Sequence, residues 1–180
     1  REQDLNYPTE FVLGEFYNDR VKFLSDTNIY SYWQLQDDYV DSKRGYNLTN
    51  NGTTSFTTGT QDLRSCVFTG SNYLVSSNSN LNFNNSITVS TLLNISTAPA
   101  VDYAIVSRWG ASEHQQAFQF IYKKDSGVYK LFAQWRDSSN NYGECVANYD
   151  LGTVTWRDVL MSINPANNNA VIAVDGVVLN

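Results

Sequence analysis

Charged residues are scarce in this chain of 180 residues. Asp, Glu, Lys and Arg make up 17% of it, whereas about a quarter is usual in soluble domains. With 12 basic and 18 acidic residues the net charge is −6, which argues against nucleic-acid binding, because such surfaces need clustered Lys and Arg. Asn, Ser, Thr, Gly and Tyr replace the missing charges and favour strands and turns, because short polar side chains compete with helical hydrogen bonds.

Long apolar runs and Cys-x-x-Cys motifs are also missing. No apolar run reaches the roughly 18 residues that a membrane-spanning helix needs, so no membrane insertion is expected. Cys66 and Cys145 are the only cysteines, and neither lies in a Cys-x-x-Cys pair or has His at metal-ligand spacing, which argues against a zinc site. The sequence leaves open whether they are two free thiols on strands or one disulfide.

Short β-type runs follow one another from Ile29 onward, separated by turns rich in Asn, Gly and Ser. In SITVSTLLNI, AFQFIYKK and VYKLFAQW every second residue is apolar, which is typical of antiparallel strands with one buried face. No stretch sustains a helical period. We therefore predict an all-β fold with two antiparallel sheets. The predicted strands are YSYWQL, NLTNNGTTSFTTG, RSCVFTG, NYLVSS, SITVSTLLNI, YAIVSRW, AFQFIYKK, VYKLFAQW, GECVANY, VLMSINP and NAVIAVDG.

Residues 1–28 differ from the rest of the chain because they hold much of its charge. We interpret them as an N-terminal arm or linker that contributes one strand at most, DRVKFLS. Residues 29–180 then form the β domain. The closing segment AVDGVVLN ends on an apolar strand, and natural sheets avoid leaving such an edge unpaired. We therefore expect further sequence after Asn180, or a strand donated by the arm or by a neighbour.

Five motifs in residues 29–180 occur in the order found in one known family. They are the aromatic start SYWQLQDDYVDSKRGYNLTNNGTTSF, then CVFTGSNYLVSS, SITVSTLLNIS, AIVSRWG, and finally VTWRDVLMSIN with NAVIAVDGVVL. Together they resemble a concanavalin A-like lectin/glucanase domain of the laminin-G-like kind. The residues that carry the resemblance are Phe68, Gly70, Tyr73, Leu74, Trp156, Asp175 and Gly176, while Leu92 stands where the family usually has Trp. The resemblance implies a jelly-roll sandwich, commonly with a role in binding glycans or surfaces.

Some relatives within that superfamily are glycoside hydrolases, which the resemblance makes a function to consider. Those enzymes need two carboxylates opposed across the scissile bond, usually from a Glu-x-Asp-x-x-Glu strand. Here Glu113 stands alone in a loop and Glu144 has no acidic neighbour at strand spacing. The single histidine, His114, has no Gly-x-Ser-x-Gly motif to complete a catalytic triad. We therefore predict that the chain is not an enzyme.

Calcium is a cofactor that the resemblance suggests, since many family members hold it. Ca²⁺ takes six to eight oxygen ligands from carboxylates, carbonyls and amides. Asp37, Asp38 and Asp41 lie close together in LQDDYVDS and are the candidates for a structural calcium site. The alternative is that these acids form turns by bonding their own backbone.

Two aromatic loops are the candidates for a carbohydrate site, because sugars pack on exposed rings surrounded by amides and carboxylates. One loop follows Trp109 and the other follows Trp135, and binding residues concentrate on loops between strands. Each Trp has the alternative of packing in the core. The candidate carbohydrate-binding residues are Trp109, Glu113, Trp135, Asp137, Asn140, Asn141 and Tyr142.

These observations lead us to expect a non-catalytic recognition module that binds glycans or cell-surface ligands. It would belong to a larger extracellular or virion-exposed protein. The alternative is a structural domain of a viral or extracellular assembly, such as a tail, fibre or capsid decoration, that makes only protein–protein contacts. The Asn-x-Ser/Thr sequons at Asn47, Asn51, Asn84 and Asn94 are as frequent as chance predicts, so they do not decide the compartment.

Overall fold

The computed structural model of the chain describes residues 29–59, 63–77, 86–108, 118–137 and 139–180. The predicted arm, residues 1–28, lies outside these ranges. The chain divides into two compact units, Arg1–Leu81 and Asn82–Asn180. Across the described ranges there is no helix with the length and apolar character needed to cross a membrane.

The first unit contains two small antiparallel sheets. They are built from β1 (Thr49–Asn51), β2 (Ser55–Thr58), β3 (Arg64–Val67) and β4 (Tyr73–Val75), with β1 paired to β4 and β2 paired to β3. The long predicted strand NLTNNGTTSFTTG is interrupted at Gly52, which has a φ of +85°. A Cβ there would lie 2.9 Å from the Cβ of Asn72, so both backbone conformation and space require glycine.

The predicted first strand, YSYWQL, is not a strand in the structure. Its sheet-like pairing with other described residues is limited to an isolated antiparallel bridge between Trp33 and Asp41. The Trp33 indole N–H donates to the carbonyl of Tyr46 at 2.9 Å. In the same segment, the backbone N–H of Tyr32 donates to the Asp41 carboxylate. The segment is therefore part of a loop, although its aromatic composition favours a strand.

The second unit contains two four-stranded antiparallel sheets. One sheet has the order β6-β7-β8-β9 and the other has the order β12-β11-β10-β5. A 3₁₀ helix, Pro165–Asn167, connects β10 to β11. The strands are β5 (Ile87–Asn94), β6 (Tyr103–Arg108), β7 (Phe118–Asp125), β8 (Val128–Arg136), β9 (Tyr142–Asn148), β10 (Trp156–Asn164), β11 (Asn169–Val174) and β12 (Val177–Val178).

The inward faces of these two sheets share one hydrophobic core. Alternate residues of β5, β7, β8, β9, β10 and β11 contribute to it, as the period-two pattern predicts. The fully buried large side chains are Phe120, Tyr122, Leu131, Leu151, Val159, Met161, Ile163, Ile172 and Val174. Burying each large aliphatic or aromatic side chain contributes roughly 1.5–3 kcal/mol. The all-β prediction and the two antiparallel sheets, packed as a β-sandwich, are confirmed.

Two hairpins close through type I′ turns, which require positive φ at both central residues. Ser126 and Gly127 have φ of +51° and +85° between β7 and β8, and Asp175 and Gly176 have +51° and +77° between β11 and β12. After β12 the backbone stays bonded to β11, because Leu179 N–H donates to the Ile172 carbonyl and Ile172 N–H to the Asn180 carbonyl. The turn at Ser126 and Gly127 therefore lies between two of the predicted strands, AFQFIYKK and VYKLFAQW.

Both cysteines are free thiols. Cys145 is buried on β9, and Cys66 is half-buried on β3. Burial raises the pKa of each thiol, which disfavours the reactive thiolate.

Candidate functional site

Asp41 is a buried structural acid in the first unit. Its carboxylate accepts hydrogen bonds from the backbone N–H groups of Tyr32, Lys43, Arg44 and Tyr46, at 2.8–3.1 Å. Burial alone would raise the pKa of Asp41, but these four bonds outweigh it and hold the pKa below its ordinary value. Both carboxylate oxygens are therefore occupied by the chain's own backbone.

The other two calcium candidates have separate partners. Asp37 forms an exposed ion pair with Arg64 at 3.0 Å, and Asp38 accepts the Val40 N–H in its own turn at 3.1 Å. Within the described ranges no group of three or more His, Cys, Asp or Glu side chains is arranged to hold a metal ion. In the structure, Asp37, Asp38 and Asp41 thus have separate partners, and Asp38 and Asp41 accept backbone N–H groups of their own segment.

Trp135 belongs to the core of the sandwich and not to an exposed sugar platform. It is 3% exposed, and its strand partner is Gly143, where the absence of a side chain makes room for the indole. This corrects its prediction as a ligand-contacting ring. The other aromatic candidate, Trp109, and its neighbour Glu113 lie outside the described residues.

Asp137, Asn140 and Asn141 come together in the loop that joins β8 to β9. The Asp137 carboxylate accepts the N–H groups of Ser139 and Asn141 and the side-chain amide of Asn141, each at 2.8 Å. The Asn141 bonds come first among the causes that lower the pKa of Asp137. Asn140 adopts a left-handed conformation with φ of +66°, and its carbonyl accepts a bond from Arg136 at 3.1 Å. These residues therefore bond to one another and to Arg136 within the loop.

Tyr142 follows this loop and presents an exposed ring. It is 50% exposed, and its hydroxyl donates to Glu144 Oε2 at 2.6 Å. The Arg136 guanidinium carbon lies 5.9 Å from the centroid of the ring. Partial burial and the hydrogen bond to Glu144 together raise the pKa of Tyr142. Of the predicted candidates in the described part of the chain, Tyr142 is the aromatic residue available to a ligand.

A polar row crosses the sheet next to Tyr142, on the face opposite the core. Gln119 pairs with Gln134, and Gln134 pairs with Glu144, so the three side chains lie side by side on three neighbouring strands. The Gln119 amide donates to Gln134 Oε1 at 2.5 Å, and the Gln134 amide donates to Glu144 Oε2 at 2.5 Å. Ser107 on β6 continues the row at the same register.

This row has contrasting neighbours on its two sides. On one side lie Ile121 and Phe132, which are paired across the strands and buried, with the Lys123 ammonium 4.5 Å from the Phe132 ring centroid. On the other side lie Arg136 and Tyr142, also paired across the strands. The row and its neighbours thus combine amide donors and acceptors, the Glu144 carboxylate, the Arg136 guanidinium and the exposed ring of Tyr142.

Sequence reasoning missed Gln119 and Gln134, and it considered Glu144 only as a hydrolase acid. The signal in the sequence was weak but present, since each is a polar residue at an outward position of an alternating strand. Many other residues share that property. Only the strand register shows which of them lie opposite one another.

Comparison of the chain with protein-family models and with curated proteins finds no match.

Proposed function

We propose that the chain is a non-catalytic recognition module that binds glycans or cell-surface ligands on the outer face of the β6–β9 sheet. The observation that carries the proposal is the row Gln119–Gln134–Glu144 with the exposed ring of Tyr142 beside it. The proposal includes a laminin-G-like jelly roll over residues 29–180, as the sequence motifs suggest. It also includes an extracellular or virion-exposed location, where such ligands are found.

The chemistry of the row suits hydroxyl-rich ligands. A side-chain amide has two N–H donors and a carbonyl acceptor, and the row uses only one donor each from Gln119 and Gln134. The remaining donors and acceptors match sugar hydroxyls, which both donate and accept. The apolar C–H face of a sugar ring packs on an aromatic side chain such as Tyr142. The bonds within the row hold these groups in place before a ligand arrives, which lowers the entropic cost of binding.

A glycan array with the folded chain tests this proposal. We expect binding to a defined set of glycans, and we expect Gln134→Ala to weaken it by about tenfold, the equivalent of one hydrogen bond to the ligand. The matched control is Thr88→Ala, since Thr88 also bonds a cross-strand partner, Ser162, but on the other sheet. Failure of a well-folded sample to bind any glycan or cell surface would overturn the proposal.

The outer edge of β5 favours a second candidate function, a structural domain that contacts other subunits. In the described part of the chain β5 pairs on one side only, with β10. Its eight residues, ITVSTLLN, include no charge and no proline. A strand edge with these features is a template for another strand.

The other three edges of the sandwich carry features that limit such pairing. β6 has a register shift between Ala104 and Val106, β12 is two residues long, and β9 receives the Asn180 side-chain amide on the Val146 carbonyl. Ile87, Val89 and Leu93 on β5 are only partly buried. A strand with alternating apolar residues, donated by a neighbouring subunit, would extend the sheet and cover them.

Light scattering after size-exclusion chromatography tests the second candidate. We expect concentration-dependent association in the parent chain and a shift toward monomer in Leu92→Lys, because an edge lysine opposes strand addition. Leu92 is exposed and lies opposite Asp158. A lysine at position 92 would therefore face a carboxylate of opposite charge. Val154→Lys, at an exposed position outside the strands, is the control. A parent chain that is monomeric at all concentrations would argue against this function.

A further inference from the structure

We propose that this face selects neutral, extended oligosaccharides and rejects acidic ones. The inference rests on the proposed glycan-binding function and adds the class of ligand. It is drawn from the charges around the row and from the row's length across the sheet.

Glu144 gives the end of the row next to Tyr142 a negative charge. It is exposed at the position where Tyr142 and Gln134 meet, and both donate to its Oε2 atom. Asp137 adds a second carboxylate in the adjoining loop, and Arg136 lies beside the Tyr142 ring. These two acids and one base have a net formal charge of −1. A sugar carboxylate placed against the row would meet Glu144, whereas a hydroxyl would donate to it.

The cations farther along the same face are matched by acids. Lys130 forms an ion pair with Asp125 at 2.7 Å, and Lys123 lies 3.8 Å from Asp102. Arg136 donates to the Asn140 carbonyl and lies beside the Tyr142 ring. The described part of this face therefore offers no cluster of unmatched positive charge to a sialic acid, a uronic acid or a sulfated sugar.

The length of the row indicates a chain of sugars rather than one ring. Adjacent strands are about 4.8 Å apart, so Ser107 on β6 and Glu144 on β9, three strand spacings apart, are separated by roughly 14 Å. That distance exceeds a single pyranose ring. A ligand that spans the row from Ser107 to Glu144 must therefore be an oligosaccharide lying across the strands, with one of its rings near Tyr142.

Binding measurements on matched glycans test the inference. Neutral oligosaccharides are compared with the same backbones carrying a uronic or sialic acid, using the parent chain, Glu144→Gln and the control Asp158→Asn. We expect the parent to bind neutral chains at least about tenfold more tightly than acidic ones, since like charges oppose binding. We expect the ratio of the affinities for neutral and acidic chains to fall toward one in Glu144→Gln, because the variant removes the like charge that opposes acidic sugars. Asp158→Asn removes the same charge from the other sheet and should leave the preference unchanged.

The outcomes separate this inference from the proposed function. A folded parent chain that binds no glycan overturns both. A parent that binds acidic and neutral chains equally well overturns the inference and leaves the function standing. Selectivity that survives in Glu144→Gln overturns the role given to Glu144. Competition by a monosaccharide as strong as that by its oligosaccharide overturns the extended binding mode.

Discussion

The indole of Trp135 lies over the backbone of Gly143, its partner on the adjacent strand. A Cβ built on Gly143 would overlap the Cε2, Cζ2 and Nε1 atoms of the indole. Gly143 does not adopt the left-handed conformation, so space rather than backbone freedom requires glycine here. This one contact allows Trp135 to be buried in the core.

Gly143→Ala should destabilise the second unit by about 1–3 kcal/mol, the usual cost of overpacking a core. Urea unfolding followed by circular dichroism measures this free energy, and Trp fluorescence should shift to the red as the indole is displaced. Asn148→Ala, on an exposed position of the same strand, should cost much less. Equal stability of Gly143→Ala and the parent would show that the indole moves without cost.

Tyr122→Phe should cost about 1–3 kcal/mol, because it leaves a buried backbone donor without its partner. The Tyr122 hydroxyl donates to Asp150 at 2.9 Å and accepts the Leu151 N–H at 3.3 Å. Burial and the bond to Asp150 raise the pKa of Tyr122. Tyr129→Phe is the control, since Tyr129 stacks on Tyr122 and its hydroxyl makes no comparable bond to the residues that the structure describes. Equal urea midpoints for the two variants would contradict this assignment.

Asp41→Asn should expose the amides that its carboxylate binds in the first unit. Hydrogen–deuterium exchange should be faster at Tyr32, Lys43, Arg44 and Tyr46 in the variant, because an uncharged amide oxygen is a weaker acceptor. Asp38→Asn is the control, since among the described residues Asp38 accepts one backbone N–H, that of Val40. Unchanged exchange at all four amides in Asp41→Asn would show that the carboxylate does not order the loop.

The same carboxylate makes the first unit sensitive to acid. The pKa of Asp41 is lowered from its ordinary value of 3.8, so its stabilising contribution is complete above about pH 5 and is lost as the pH falls through the folded-state pKa. The difference in amide exchange between the parent and Asp41→Asn should therefore shrink below pH 3.8. If the difference in amide exchange grew as the pH fell, folding would raise the pKa of Asp41 instead of lowering it.

Glu144→Gln should lower the pKa of Tyr142. Burial contributes most to the raised pKa, and the hydrogen bond to Glu144 comes next, so the variant should shift the pKa only part of the way to its ordinary value of 10.0. In the parent chain, the protonated hydroxyl of Tyr142 contributes to the stability of the folded state, because folding raises its pKa. That contribution falls as the pH rises above 10. Titration of the Tyr142 ring by NMR measures the shift, and Asp158→Asn should leave it unchanged.

Local sequence was sufficient for most of the second unit. SITVSTLLNI, AFQFIYKK and VYKLFAQW alternate between apolar and polar residues, and each is a strand in the structure within a residue or two of its predicted ends. The Ser-Gly and Asp-Gly pairs form type I′ turns, because these turns need positive φ at both central positions. These features depend on neighbours in sequence, so the sequence displays them directly.

The aromatic segment YSYWQL shows where local reasoning failed. Its composition favours a strand, yet Asp41, several residues later, accepts the Tyr32 N–H and draws the segment into a loop. Trp135 shows the same limit, since its position before a polar loop suggested exposure. The space left by Gly143 on another strand decides its burial, and that depends on pairing between residues distant in the chain.

The sequence by itself determined the strand class, the turns and the alternation that places one face of each strand in a core, because these depend on local periodicity and backbone conformation. Only the tertiary structure decided the candidate site. Gln119, Gln134 and Glu144 are separated in the chain, and the register of β7, β8 and β9 makes them one hydrogen-bonded row. A shift of one residue in the pairing of β7 with β8, or of β8 with β9, would point a polar side chain into the core and break the hydrogen bonds of the row.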